Sequence, residues 1–130
     1  MATAAELIPR QARWVLRSAI ALVWLYQGLW HKLLVVDERH QRIVAQALGE
    51  HLGPVALGGI GLLETLLAFA VIFSFMPMRA AWMQILLLAG MNTVGLLSAA
   101  KDIPDPMGMV TMNFVFAAAV WINGRFSSEV

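Results

Sequence analysis

The chain has 130 residues, 60% of them hydrophobic and 13% charged, with a formal net charge of +1. Soluble domains run nearer about 45–50% apolar and about 25% charged, so the composition belongs to the membrane class and offers no broad basic surface for nucleic acid. Cysteine is absent, which excludes disulfides, thiolate nucleophiles and thiolate metal sites.

Arg10, Arg13 and Arg17 precede the first apolar stretch. It is too long for a signal-peptide core and no small-residue cleavage site follows, so it reads as a retained transmembrane helix over 18–36. The stretch 37–53 is polar, with Asp37, Glu38, Arg39, His40, Arg42, Glu50 and His51. Within it Ile43, Val44, Ala47 and Leu48 repeat at helical spacing, which leaves two readings open: a short interfacial helix, or a solvated loop with one helical turn. The cleanest span is 55–75. Pro77 punctuates a tight turn before a third span over 80–100. Pro104 and Pro106, with Asp102 and Asp105, make a rigid polar loop. The fourth span, 107–122, is short enough to need tilt or local thinning of the bilayer. No linker or low-complexity tract divides the chain. The expected fold is therefore all-α: one domain over 1–130, a four-transmembrane-helix bundle with up-down topology.

Lysine and arginine placement sets the expected orientation. Arg10, Arg13, Arg17, Arg79 and Arg125 fall at one end of the spans, and Lys32, Arg39, Arg42 and Lys101 at the other. The bias puts both termini in the cytoplasm, and the expected location is a bacterial-type inner (plasma) membrane. Trp14, Trp82 and Trp121 fall near one interface and Trp30 near the other, as aromatic belts do.

Glu64 stands near the centre of the second span, where an ionisable side chain is costly and faces the bundle interior. Counted at about 1.5 Å per residue from the same end of the bundle, Glu64 and Gln27 lie about 13 Å down, Asn92 about 12 Å and Asn113 about 9 Å. Each helix thus brings one polar group toward a common layer, with His31 and Lys32 a turn away. Trp24, Gln27, Gly28 and His31 share one side of the first helix by i, i+3 and i+4 spacing, and Gly58, Gly61, Glu64, Thr65 and Ala68 share one side of the second. Small residues at that spacing allow close helix approach in lipid. Gln27, His31, Lys32, Glu64, Asn92 and Asn113 are the candidate ligand-binding or proton-relay residues. Trp24, Tyr26 and Trp30 are the candidate pocket walls, and Gly28, Gly58 and Gly61 the candidate packing residues. The same polar layer also reads as an interhelical hydrogen-bond network with no ligand. His31, His40 and His51 lack metal-ligand spacing, the Asp102 and Asp105 pair reads as a solvated loop, and no metal site is expected.

Arg17, then Gly28-x-x-x-Lys32 late in the first span, Gly58-Gly59-Ile60-Gly61-Leu62-Leu63-Glu64 in the second, and Pro106 with Asn113 at the fourth occur in an order that resembles the DoxX-like membrane proteins. The resemblance covers about 17–121. It implies a four-helix membrane fold, and relatives that include a subunit of a thiosulfate:quinone oxidoreductase and components tied to redox protein maturation. The expected function is binding of a small amphipathic ligand, such as a quinone or a lipid, in a polar intramembrane pocket. In that reading the chain is an accessory to a membrane or peripheral redox partner rather than a self-sufficient enzyme. The alternative is a non-catalytic assembly, chaperone or cargo-binding bundle. Self-association through the glycine faces fits either, and no cofactor other than a quinone is suggested. The absence of cysteine excludes a dithiol mechanism.

Overall fold

The computed structural model describes residues 1–2 and 7–128. Residues 3–6 of the stretch ahead of the first helix lie outside the description. All regular structure among the described residues is helical. Helix α1 (Arg10–Trp24) begins behind Pro9, whose fixed φ suits the entry to a helix. Without a break it changes winding into a π-helical segment, Leu25–Leu34. Ten residues of π winding is long, since most occurrences are single-turn bulges. The segment closes with the Val35 N–H donating to the Trp30 carbonyl at 2.9 Å and the Asp37 N–H donating to the His31 carbonyl at 2.8 Å.

Helix α2 (Glu38–Ile72) starts at Asp37, whose carboxylate accepts the Arg39 N–H at 2.8 Å. It is broken at Gly49, where φ 89° and ψ 167° are not helical and only glycine tolerates the conformation cheaply. The break turns 38–48 back over the end of the bundle. A Cβ on Gly53 would come 3.1 Å from the Ala45 Cα, and one on Gly95 would reach the Ile43 Cγ2 at 4.0 Å. Of the two readings of 37–53, the helical one is therefore the observed one. The helix is also tied sideways: Arg42 Nε lies 3.9 Å from Asp102, and the Gln46 amide donates to the same carboxylate.

Helix α3 (Pro77–Ala99) follows a turn in which Ser74 and Met76 have left-handed φ of 51° and 44°. Pro77 occupies the first helical turn, where its missing N–H costs nothing. A short 3₁₀ turn, Ala100–Asp102, leads to α4 (Pro106–Ser128). Asp105 caps α4: its carboxylate accepts the Gly108 N–H at 3.0 Å and its carbonyl the Met109 N–H at 2.9 Å. Asp105 thus serves as a helix cap rather than as loop decoration. At 23 residues α4 is longer than the sequence suggested. At about 1.5 Å per residue it rises about 34 Å, enough for a hydrocarbon core of about 30 Å without thinning. The polar residues beyond 122 stay helical because they pack. Asn123 is buried, and a Cβ on Gly124 would lie 2.6 Å from the Ala81 Cβ.

Each helix packs chiefly on two others: α1 on α2 and α4, α2 on α3, and α3 on α4. Ile20, Ala21, Trp24, Ala68, Val71, Ala81, Leu88 and Val120 fill the centre. Large apolar side chains such as Leu66, Leu97 and Phe114 point outward, which suits a surface solvated by lipid rather than by water. Helices α2, α3 and α4 are long and apolar enough to cross a membrane. The first helical rod has 15 α-helical and 10 π-helical residues.

Candidate functional site

Trp24, Gly28 and Lys32 recur every four residues and are all buried. A step of four overshoots a turn of about 3.6 residues in an α-helix and falls short of one in the wider π winding. The switch of winding after Trp24 therefore reverses the sense in which the inward line drifts around the rod. This corrects the expected face. Lys32 lies on the inward line with Trp24 and Gly28, while Gln27 and His31 are only half-buried on its flank.

The line meets α2 at a close crossing of glycines. A Cβ on Gly28 would lie 2.7 Å from both the Glu64 Cβ and the Gly61 carbonyl, and one on Gly61 would lie 2.8 Å from the Lys32 Cβ. Beside that crossing, Lys32 Nζ sits 2.9 Å from Glu64 Oε2 and donates to Oε1 at 3.2 Å. It also donates to the Gln27 carbonyl at 3.2 Å. An ammonium carries three donors, and this one has three oxygens around it. Glu64 is 0% exposed and Lys32 7%. The Thr65 hydroxyl beside them donates back to the Gly61 carbonyl at 2.7 Å. Protein atoms fill the carboxylate's surroundings.

The remaining expected residues are brought together differently. Asn113 donates to Asn92 at 2.8 Å, linking α3 to α4 away from the lysine. Among the described residues no hydrogen bond joins this pair to Glu64, so the expected single layer resolves into two separate couples. Gln27 contributes its backbone carbonyl, not its amide, to Lys32. Tyr26 and Trp30 are 53% and 50% exposed and form no wall around Glu64; they lie off the inward line. Trp24 is buried, but as a partner: its indole N–H donates to Gln84 Oε1 at 2.7 Å, and the Gln84 amide donates to the Ala80 carbonyl at 3.0 Å. The sequence signal for this α1–α3 link is weak: Gln84 stands at helical spacing with Leu88 and Asn92, and nothing in the pattern names an indole as its partner. Gly58 has nothing within 4 Å of a Cβ and takes no part in packing, because the first rod ends at Leu34 just beyond the crossing.

His31 leaves the inward line and turns to the connection with α2. Its Nδ1 lies 3.4 Å from Asp37 Oδ2, and His40 Nδ1 lies 3.9 Å from Asp37 Oδ1. The Arg39 N–H bonded to Asp37 holds that carboxyl below the usual carboxylate range. At the opposite end of the bundle, an open cleft of about 720 Å³ is lined by Arg17, Ser74, Met76, Arg79, Ser127 and their neighbours. Arg17 donates to the Ser127 hydroxyl at 3.5 Å.

No curated protein and no solved structure matches the chain. The sequence model of the DoxX-like family matches residues 21–121, which include the Gly28–Gly61 crossing, the Lys32–Glu64 pair and the Asn92–Asn113 pair. The chain is an integral membrane protein of the DoxX-like family.

Proposed function

We propose that this protein is a non-catalytic membrane subunit: an interlocked helical bundle that presents a fixed apolar surface to a partner in the bilayer. The observation that carries this reading is the fully buried Glu64, engaged by Lys32 across a glycine crossing that does not admit even a methyl group. Such a pair sets which helices meet and in what register, the best-attested use of a buried ion pair, and it leaves no space for a ligand's head group. In this reading the helices alternate up and down, supported by the short connection at 73–76. Both termini are cytoplasmic, supported by Arg10, Arg13, Arg17, Arg79 and Arg125 at one end of the spans, and the membrane in this reading is of the inner, plasma type.

A second reading keeps an amphipathic ligand, a quinone or a lipid, and an accessory role beside a redox partner, but moves the ligand. The cleft between Arg17, Arg79 and Ser127 favours it, because it offers cationic and hydroxyl groups beside apolar helix ends. The test is to purify the tag-free chain, extract it and quantify bound small molecules by mass spectrometry, in wild type, in Glu64→Gln and in Arg17→Gln. The scaffold reading expects no stoichiometric ligand that depends on Glu64. A quinone or lipid held at one equivalent and lost in Glu64→Gln would overturn it. One held at one equivalent and lost only in Arg17→Gln would favour the second reading.

A further inference from the structure

The connection between the π-helical segment and α2 brings together three side chains that the Lys32–Glu64 lock does not use. His31 stands in the last turn of the π-helical segment, Asp37 is the first cap of α2, and His40 follows one turn later. One ligand atom from each lies within 4.8 Å of the other two. Asp37 offers a separate oxygen to each imidazole, at 3.4 Å to His31 and 3.9 Å to His40. Yet His31 Nδ1 and His40 Nδ1 are both buried atoms without a hydrogen-bond partner. Buried polar atoms are nearly always satisfied, so two orphaned nitrogens aimed at one carboxylate mark a gap in the structure's own accounting.

We propose that His31, Asp37 and His40 bind one divalent first-row transition-metal ion, with zinc the natural probe. Two imidazoles and one carboxylate are a borderline donor set that suits zinc and its neighbours and not calcium or magnesium. Zinc holds nitrogen and oxygen at about 2.0–2.2 Å, which for tetrahedral geometry separates the donors by roughly 3.4 Å. The His31–Asp37 separation already has that value, and rotation of half-buried side chains by about an ångström closes the rest. The three side chains are partly exposed, Asp37 most of all, which leaves a fourth position for water, as three-ligand sites do. The Arg39 N–H donating to Asp37 Oδ1 orients the carboxylate from behind, the kind of support that ligating groups require. The charges of Lys32 and Arg39 reach His40, but no cation occupies the cluster: the Lys32 ammonium is held by Glu64, the Arg42 guanidinium lies toward Glu38 and Asp102, and the Arg39 side chain is exposed. The ion would clamp the junction where the chain passes from the first rod to α2. This site is independent of the scaffold reading.

The test is zinc titration of chelator-stripped protein without an oligohistidine tag, in nanodiscs, by competition with a chromophoric chelator. One saturable equivalent is expected. His31→Ala and His40→Ala each weaken it by more than about tenfold, and His51→Ala leaves it unchanged. Asp37→Asn keeps the helix cap, because Asn caps as well as Asp, so its loss of affinity reads the ligand role alone. If an alanine variant does not fold, the His→Gln variant at that position takes its place. Absence of saturable binding, equal weakening by His51→Ala, or retention of full affinity in either the His31 or the His40 variant overturns the proposal.

Discussion

Breaking the Lys32–Glu64 pair one side at a time should be far more damaging than removing both sides. At 2.9 Å, the gross attraction is about 6 kcal/mol with an effective dielectric constant of about 20. Much of that offsets the desolvation of two charges, so the pair contributes little net stability. A single removal is different, because it leaves one buried charge without its partner, at a cost of about 3–5 kcal/mol. Glu64→Gln and Lys32→Met should each lose about that much. The double variant Lys32→Met/Glu64→Gln should return to within about 1–2 kcal/mol of wild type, giving a coupling energy of more than about 3 kcal/mol in the cycle. Reversible unfolding in mixed micelles, followed by the fluorescence of the five tryptophans, measures all four species. Additive losses in the double variant would refute the reasoning, as would single variants indistinguishable from wild type. Either result would mean that the two groups are separately solvated and that the bundle is open at their level.

The glycine crossing gives a matched comparison: Gly28→Ala and Gly61→Ala should each lose about 1–3 kcal/mol through overpacking, whereas Gly58→Ala should be neutral or stabilise by up to about 1 kcal/mol. The same unfolding assay reads it, and a Gly58 effect as large as the others would contradict the packing described. Gln84→Leu should lose about 1–3 kcal/mol by leaving the Trp24 indole N–H buried without an acceptor, with a matching change in tryptophan emission. Asn113→Ala should cost only about 0.6 kcal/mol, the usual worth of a side-chain hydrogen bond between membrane helices, and a loss above about 2 kcal/mol would show that the Asn pair does more than link α3 to α4. Asp105→Ala should cost about 1 kcal/mol and Asp105→Asn much less, because asparagine still caps α4.

Much of this architecture was legible because membrane helices announce themselves by length and by the rarity of polar groups at depth. Glu64 and Lys32 stood out for that reason, and Gly28 and Gly61 flanked them at packing distance. The contacts among polar residues were less legible. Depth along a helix is set by counting, but azimuth depends on winding, and nothing in Leu25-Tyr26-Gln27-Gly28 distinguishes π from α. With α spacing, His31 and Gln27 joined the inward face; with π winding, Lys32 does. Equal depth also does not imply contact. Asn92 and Asn113 lie near the level of Glu64 but on the two helices that meet each other, so they satisfy one another. Gln84 carried a weak signal, a polar residue in line with Leu88 and Asn92, and its partner was an indole that had been assigned to a wall.

The two buried links from the first rod depend on opposite sides of the winding change. Trp24, the last α-helical residue, bonds to Gln84 on α3, and Lys32, eight residues on within the π segment, bonds to Glu64 on α2. A straight α-helix over the same residues would rotate Lys32 about 80° from Trp24, since each step of four overshoots a turn by about 40°. The wider winding reverses the sign of that drift, so the anchor to α3 fixes the direction in which the anchor to α2 points. The same widening puts His31 on the flank, free of the core, where it faces Asp37 and His40. The π-helical segment is therefore the element that divides the first rod's polar residues between an internal lock and a half-buried junction.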